Sequence, residues 1–221
     1  MEVQLISITQ PLIEGLISAE DLISYIARVS NPSNQMNTET SPKLLKYLIK
    51  HKHWSPFEQV SLTFQIVTSR AIAAQILRHR SFCFQEFSQR YSTITSLESF
   101  NIRKQADKNR QSSSDMLDLS EEDLERLKSH IVEGVSLYES LLEKGAAREC
   151  ARMLLPLCTQ TTLYMTGNLR GFIHYVELRT QENTQEEHRE IARSIKECLI
   201  QNFPNTAEAL NWNLPVDKIE N

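Results

Sequence analysis

The sequence predicts an α+β fold, a small mixed or antiparallel sheet with several surrounding helices, in a single domain spanning residues 1–221. Apolar and polar residues alternate strictly over Val60-Ser61-Leu62-Thr63-Phe64-Gln65-Ile66, the period of a half-buried strand. Most other apolar residues recur at three- and four-residue spacing, the period of a helix face. Strands do not alternate regularly with helices, as a doubly wound sheet would require.

Each element follows in order. Val3–Ile8 alternates well enough for a first strand. Ser18 is an N-cap with Asp21 three residues on, and Leu22, Ile23, Tyr25, Ile26 and Val29 continue at helical spacing. Asn31-Pro32-Ser33-Asn34 ends that helix. Ser41-Pro42 starts another, with Leu44, Leu45, Tyr47 and Leu48 on one face. After the alternating strand a short helix is expected from Ser69 to Arg78. Residues 101–116 are charged and serine-rich without periodicity and predict an exposed loop. Ser120 caps a long helix through Leu124, Leu127, Ile131, Val135, Tyr138 and Leu142, ending at Gly145. Further helices are expected over Ala146–Leu155, from Asn168 through Phe172, Ile173 and Val176, and over Thr184–Gln201.

Composition narrows the function class. A chain of 221 residues, 40% hydrophobic and 24% charged, fits one sizeable globular domain. With 5 Gly and 7 Pro it is neither collagen-like nor largely disordered. Its apolar runs fall far short of the roughly 20 residues of a membrane helix. The start lacks the positive flank and apolar stretch of a signal peptide, so a cytoplasmic protein is expected. A net charge of −4 argues against wholesale nucleic-acid binding. The four cysteines are scattered without metal-ligand spacing, and reduced thiols are expected. His51 and His53 stand two apart, a poor spacing for shared metal ligation on a helix; no metal is expected.

One stretch breaks the acidic trend. Between Gln59 and Leu97 the charged residues are Arg70, Arg78, Arg80, Glu86 and Arg90, joined by His79 and interleaved with Phe82, Phe84, Phe87 and Tyr91. Gln75, Arg78 and His79 fall at i, i+3 and i+4 of the expected helix and would share a face. Arginine forks recognise phosphate bidentately, and aromatic side chains stack on rings. An isolated cationic island on an acidic chain suits a small anionic ligand better than a nucleic acid, although oligonucleotide binding is the competing reading.

Arg78-His79-Arg80, seven residues, then Ser88-Gln89-Arg90 resembles the signature of the flavin-dependent thymidylate synthases. Three other segments match in the same order. His53-Trp54-Ser55-Pro56-Phe57-Glu58 is similar to that family's H-x-[ST]-x-[FL]-E. Glu149-Cys150-Ala151-Arg152 with Leu155-Pro156 is similar to E-x-A-R-x-x-L-P. Asn168-Leu169-Arg170 through His174 to Glu177-Leu178-Arg179 is similar to N-x-R…H-F-x-x-L-R. The resemblance runs from about residue 20 to 200.

The resemblance implies a homotetramer binding FAD between subunits. It would methylate dUMP to dTMP with carbon from methylenetetrahydrofolate and reducing equivalents from NADPH through the flavin. By position, Ser55, Glu58, Arg78, His79, Arg80, Glu86, Asn168, Leu169, Arg170 and His174 would contact FAD. Gln75, Arg78, Glu86, Phe87, Ser88, Gln89, Arg90, Arg152 and Arg179 would hold the nucleotide. Arg179 is the implied catalytic residue: a permanent cation beside the uracil imide would stabilise its anion and make carbon 5 electron-rich. Nucleotides and folate are the implied partners; neither nucleic acid nor membrane is. The chain departs from the pattern at several positions: Cys83 stands where Ser is frequent, Gln89 where a small residue is common, and residues 180–185 are longer. None of the seven prolines precedes a cysteine, which excludes the cysteine-nucleophile thymidylate synthases with their P-C-H-Q motif.

Overall fold

The computed structural model describes residues 1–212; the part of the expected domain over 213–221 lies outside them. At its centre is a four-stranded antiparallel sheet of order β1-β2-β6-β3. These strands are β1 (Glu2–Ile8), β2 (Ser61–Ser69), β3 (Cys83–Glu86) and β6 (Gln160–Asn168). β2 and β6 pair along their whole length, from Ser61 opposite Asn168 to Ser69 opposite Gln160. Leu62, Phe64 and Ile66 of β2 and Leu163 and Met165 of β6 turn to one face and are buried. The other face carries Thr63 bonded to Thr166 (2.9 Å) and Tyr164 bonded to Gln65 (3.0 Å). One dry face and one wet face is what an antiparallel sheet tolerates.

Helices cover the dry face. α1 (Ala19–Ala27) begins with the expected capping box, Ser18 Oγ accepting from Asp21 N at 3.1 Å and Asp21 Oδ2 accepting from Ser18 N at 3.0 Å. α2 (Ser41–Lys50) has Pro42 in its first turn, where a missing N–H costs nothing. α6 (Leu169–Arg179) and α7 (Glu186–Asn202) add Phe172, Ile173, Val176, Ile191, Ile195 and Leu199 to the core. Phe172 meets Phe64 edge-on at 5.1 Å.

Several elements differ from expectation. α3 (Arg70–Ile76) stops before Arg78 and His79. Their amides bond to the carbonyls of Gln75 and Ile76, three residues back, so the chain tightens and Gln75, Arg78 and His79 do not share a helical face. The helix expected over Ala146–Leu155 is a single turn, α5 (Arg148–Ala151), followed by a 3₁₀ turn, Arg152–Leu154. Pro156 holds Leu155 extended, at φ −70° and ψ 134°, which ends it. Residues 101–116 carry an exposed two-stranded hairpin, β4 (Arg103–Gln105) with β5 (Ser113–Met116). Gln105 and Asn109 hold its turn through polar bonds to Ser112, so no apolar alternation marks it. β3, β6 and α8 (Pro204–Ala209) were not expected. The long helix α4 (Glu121–Glu143) is as expected, with Gly145 at φ +88° beyond its end. Its stripe is mostly not buried: Leu124 and Leu127 are exposed, Ile131, Val135 and Leu142 are half-buried, and Tyr138 is its one buried side chain.

Candidate active site

The cationic segment hangs between α3 and β3 and is anchored by Phe82. That ring packs on Phe172 at 4.7 Å and lies against Gly167 of β6, where a Cβ would stand 2.4 Å from Cδ1 of Phe82. Arg78 and Arg80 project outward, exposed and without an ion-pair or hydrogen-bond partner among the described residues. Two unpaired guanidinium groups on a rigidly anchored loop are a ready anion site.

His79, between them, turns inward. Its Nε2 accepts from Arg179 Nε at 2.8 Å, and its ring meets Tyr175 edge-on at 4.9 Å. Burial, then the charge of Arg179, then His174 lower the imidazole to about 4, so it is neutral at pH 7. Behind it the Tyr175 hydroxyl bonds His188 Nε2 at 2.9 Å. His188 is lowered to about 3, by burial first and then by Arg179 and His79. Burial pushes the Tyr175 phenol up despite the opposing pull of Arg179.

α6 also lines a cleft that runs from Asn168 at its start to Glu177 near its end and reaches Ser81 of the cationic segment. Asn168 caps the helix, its Oδ1 accepting from Gly171 N at 2.8 Å. A cavity of about 450 Å³ opens there, lined by Trp54, Glu58, Ser81, Asn168, Arg170 and His174 among others. Arg170 and Glu58 form an ion pair across it. Ser55 is exposed at the start of the turn that carries Glu58. Leu169 is a core residue whose N–H bonds Val60 O at 2.8 Å, and as the first residue of α6 it turns its carbonyl into the helix.

A third group lies beyond β3. Glu86 Oε1 accepts from Arg70 (2.9 Å) and from Thr161 (2.9 Å), and Arg70 also donates to Phe87 O at 3.1 Å. Gln89 is buried, and its Nε2 has no partner. Ser88 and Arg90 line a groove of about 340 Å³ with Arg148 and Glu149, and Arg90 Nε pairs with Glu149 at 3.1 Å. Arg152 is half-exposed on the 3₁₀ turn. Gln75 sits apart from this groove, bonded to Gln185 (2.6 Å) and facing His188 (3.4 Å).

The sequence-predicted residues thus gather in three patches. Glu58, Asn168, Arg170 and His174 share the cleft. Gln75, His79 and Arg179 belong to the buried cluster. Ser88 and Arg90 share the groove. Tyr175, His188, Arg70 and Thr161 were not singled out as site residues from sequence. His188 had a readable signal: it stands three residues before Ile191 and so extends the buried Ile191, Ile195, Leu199 stripe of α7. Among the described residues no His, Cys, Asp and Glu group could hold a metal ion.

Comparison with known proteins follows the same outline. The family described as "Thymidylate synthase complementing protein" matches residues 11–205. A "Probable flavin-dependent thymidylate synthase" from Paramecium bursaria Chlorella virus 1 is 50% identical over 96% of this chain and 100% of its own. The flavin-dependent thymidylate synthase of Synechocystis sp. is 49% identical, again over 96% of this chain and 100% of its own. Among solved structures, a UMP/dUMP methylase PolB from Streptomyces cacaoi bound with 5-Br dUMP superposes with a TM-score of 0.81. It is 25% identical and covers 95% of this chain and 94% of its own.

Proposed function

This chain belongs to the flavin-dependent thymidylate synthase family, and from that membership we propose that it methylates dUMP to dTMP. Methylenetetrahydrofolate is the carbon donor and NADPH the reductant. FAD, when bound, supplies the redox step that carries the electrons of NADPH to the new methyl group. The protein binds, orients and shields.

The observation that carries this reading is the pair of unpartnered cations, Arg78 and Arg80, immediately before Ser81 of the α6 cleft. Their charge suits a diphosphate, and Trp54 and His174 offer rings to a planar heterocycle. The donor set therefore fits FAD: Ser55, Glu58, Asn168, Arg170 and His174 at the cleft, with buried Leu169 fixing the start of α6 behind them and Arg78, His79, Arg80 and Glu86 toward the nucleotide. Gln75, Arg78, Glu86, Phe87, Ser88, Gln89, Arg90, Arg152 and Arg179 hold dUMP. Arg179 acts by stabilising negative charge on the uracil ring, and its guanidinium, unlike an ammonium, spans two acceptors.

The assembly is a homotetramer whose FAD sites lie between subunits. Two facts support this. The α6 cleft and the Ser88–Arg90 groove share no lining residue within one chain, and α4 and the 153–157 segment expose Leu124, Val132, Leu137, Met153 and Leu157. The described residues, 1–212, are read as one domain built on the four-stranded sheet and a single core. A cytoplasmic location follows from the reaction's soluble substrates, and among the described residues no helix is long and apolar enough to cross a membrane.

The test is chromatographic detection of dTMP from dUMP, methylenetetrahydrofolate, FAD and NADPH. Product that vanishes on omitting FAD or NADPH is expected. A flavin-retaining protein that forms no dTMP overturns the reading. Light scattering of the FAD-bound protein should give a mass near four subunits; a mass near one defeats the tetramer.

A further inference from the structure

Behind Arg179 and His79 runs a chain of hydrogen bonds whose direction is fixed at one end. Glu187 is a carboxylate held by Arg103 at 2.5 Å. Burial works against its charge, yet the bonds from Arg103 and Gln185 keep it below the ordinary carboxylate range. It can therefore only accept, so Gln185 must donate to it through Nε2, at 2.9 Å. The Gln185 carbonyl then faces Gln75 and accepts from Gln75 Nε2 at 2.6 Å. That leaves Gln75 Oε1 toward His188 Nδ1 at 3.4 Å, so Nδ1 carries the proton. Its Nε2 in turn is the acceptor for the Tyr175 hydroxyl at 2.9 Å. Every link points the same way. His188 and Tyr175 are fully buried, whereas Gln185 is exposed, so the Gln75 carbonyl faces the interior and its amino group faces out. One N–H of that group is engaged by Gln185, and the other has no partner among the described residues.

We propose that His188 is a positioning residue for the nucleotide, its Nδ1–H holding the Gln75 carbonyl inward while Gln185 takes one amino hydrogen, so that an N–H rather than the carbonyl meets the ligand. The proposal rests on the reading above that Gln75 contacts dUMP. The ligand atom opposite Gln75 is then a hydrogen-bond acceptor. His188 touches no substrate; it acts through Gln75, and Tyr175 acts through His188 by keeping the proton on Nδ1.

The experiment is a set of variants in the FAD-bound enzyme, read by calorimetric binding of dUMP and by the split between KM and kcat. His188→Asn places an amide N–H where Nδ1 was and keeps the donor to Gln75. His188→Gln reaches the Nε2 position and loses that donor. The expected result is dUMP affinity within about twofold of the parent for H188N and about tenfold weaker for H188Q, the effect of one hydrogen bond near 1.4 kcal/mol. KM should rise with kcat held within about threefold. Gln75→Ala should weaken dUMP to a similar degree, and adding H188Q to it should cost nothing more. Additive losses, or H188N as weak as H188Q, overturn the proposal while leaving the enzyme's function intact. A parent enzyme that neither binds dUMP nor makes dTMP overturns the function itself.

Discussion

Arg179 donates its Nε–H to Nε2 of His79 across 2.8 Å, joining the last residue of α6 to the centre of the Arg78-His79-Arg80 segment. The bond divides the guanidinium. Nε sets its orientation, and among the described residues neither terminal nitrogen has a hydrogen-bond partner, so a planar two-pronged donor remains for a ligand. Because His79 accepts, its neutral ring carries the proton on Nδ1.

Arg179→Lys keeps the charge and cannot both hold His79 and present a fork. Its dTMP formation should fall by about 100-fold or more, the cost of losing a preorganised donor to a developing anion. The melting temperature should stay close to that of the parent. His79→Gln, whose amide oxygen accepts where Nε2 did, should retain more activity than His79→Leu. Steady-state kinetics on the three variants checks both statements, and an R179K enzyme running at the parental rate removes Arg179 from the reaction.

Among the described residues the side chains of Arg78 and Arg80 have no protein partner to lose. Replacing either with Ala should leave stability within about 0.5 kcal/mol. FAD binding should weaken by about tenfold or more for each, because a charge-assisted bond contributes roughly 1.5–3 kcal/mol. FAD affinity of the parent should itself fall with ionic strength, and its lead over the variants should shrink, since both side chains are exposed to salt. Flavin absorbance after desalting measures the first effect and thermal melting the second.

How much of this was legible in the sequence depends on where the information sat. β2 announced itself because Leu62, Phe64 and Ile66 alternate with polar residues, and the Ser18 capping box is a local device complete within four residues. β6, its full-length partner, was missed. Its inward positions are Thr161, Leu163 and Met165, and it ends in Gly167-Asn168, which reads as a turn. The arginine segment was legible as an anion site from charge alone. The polar chain behind it was not, because Tyr175, His188, Gln75 and Glu187 come from three helices and meet only through tertiary packing. Tyr175 also stands where the H-F-x-x-L-R pattern has Phe, and only the structure shows that its hydroxyl has a buried acceptor.

Acid should destabilise the fold through its buried imidazoles. His79 and His188 have native values of about 4 and about 3, against 6.5 for an unperturbed histidine. Above pH 6.5 both states are neutral and the groups do not affect stability. Between about pH 6.5 and pH 3 the unfolded chain takes up protons that the native one refuses, so stability declines as pH falls. Urea midpoints measured from pH 7.5 to 4 should decrease, and His188→Asn, which cannot protonate, should flatten part of the slope. An unchanged slope in H188N means that His188 does not titrate on unfolding.

Gly167 and Phe82 should govern the loop from a distance. The glycine has no special backbone angle; it is required because Phe82 fills the space that a Cβ would take, 2.4 Å from Cδ1. Gly167→Ala must displace the ring from Phe172, and overpacking of this kind costs about 1–3 kcal/mol. At this chain length that is a fall of about 2–4 °C in melting temperature per kcal/mol. Phe82 N also bonds His79 O at 3.2 Å, so a shifted ring drags the cationic segment with it. G167A should therefore lose FAD affinity as well as stability. Ile191→Val, a core deletion in α7 costing about 0.5–1.5 kcal/mol, supplies the control. If I191V and G167A lose flavin in proportion to their stability alone, Phe82 does not set the loop. A disproportionate loss in G167A, partly restored by adding Phe82→Leu, identifies the ring as the wedge that holds Arg78 and Arg80 in place.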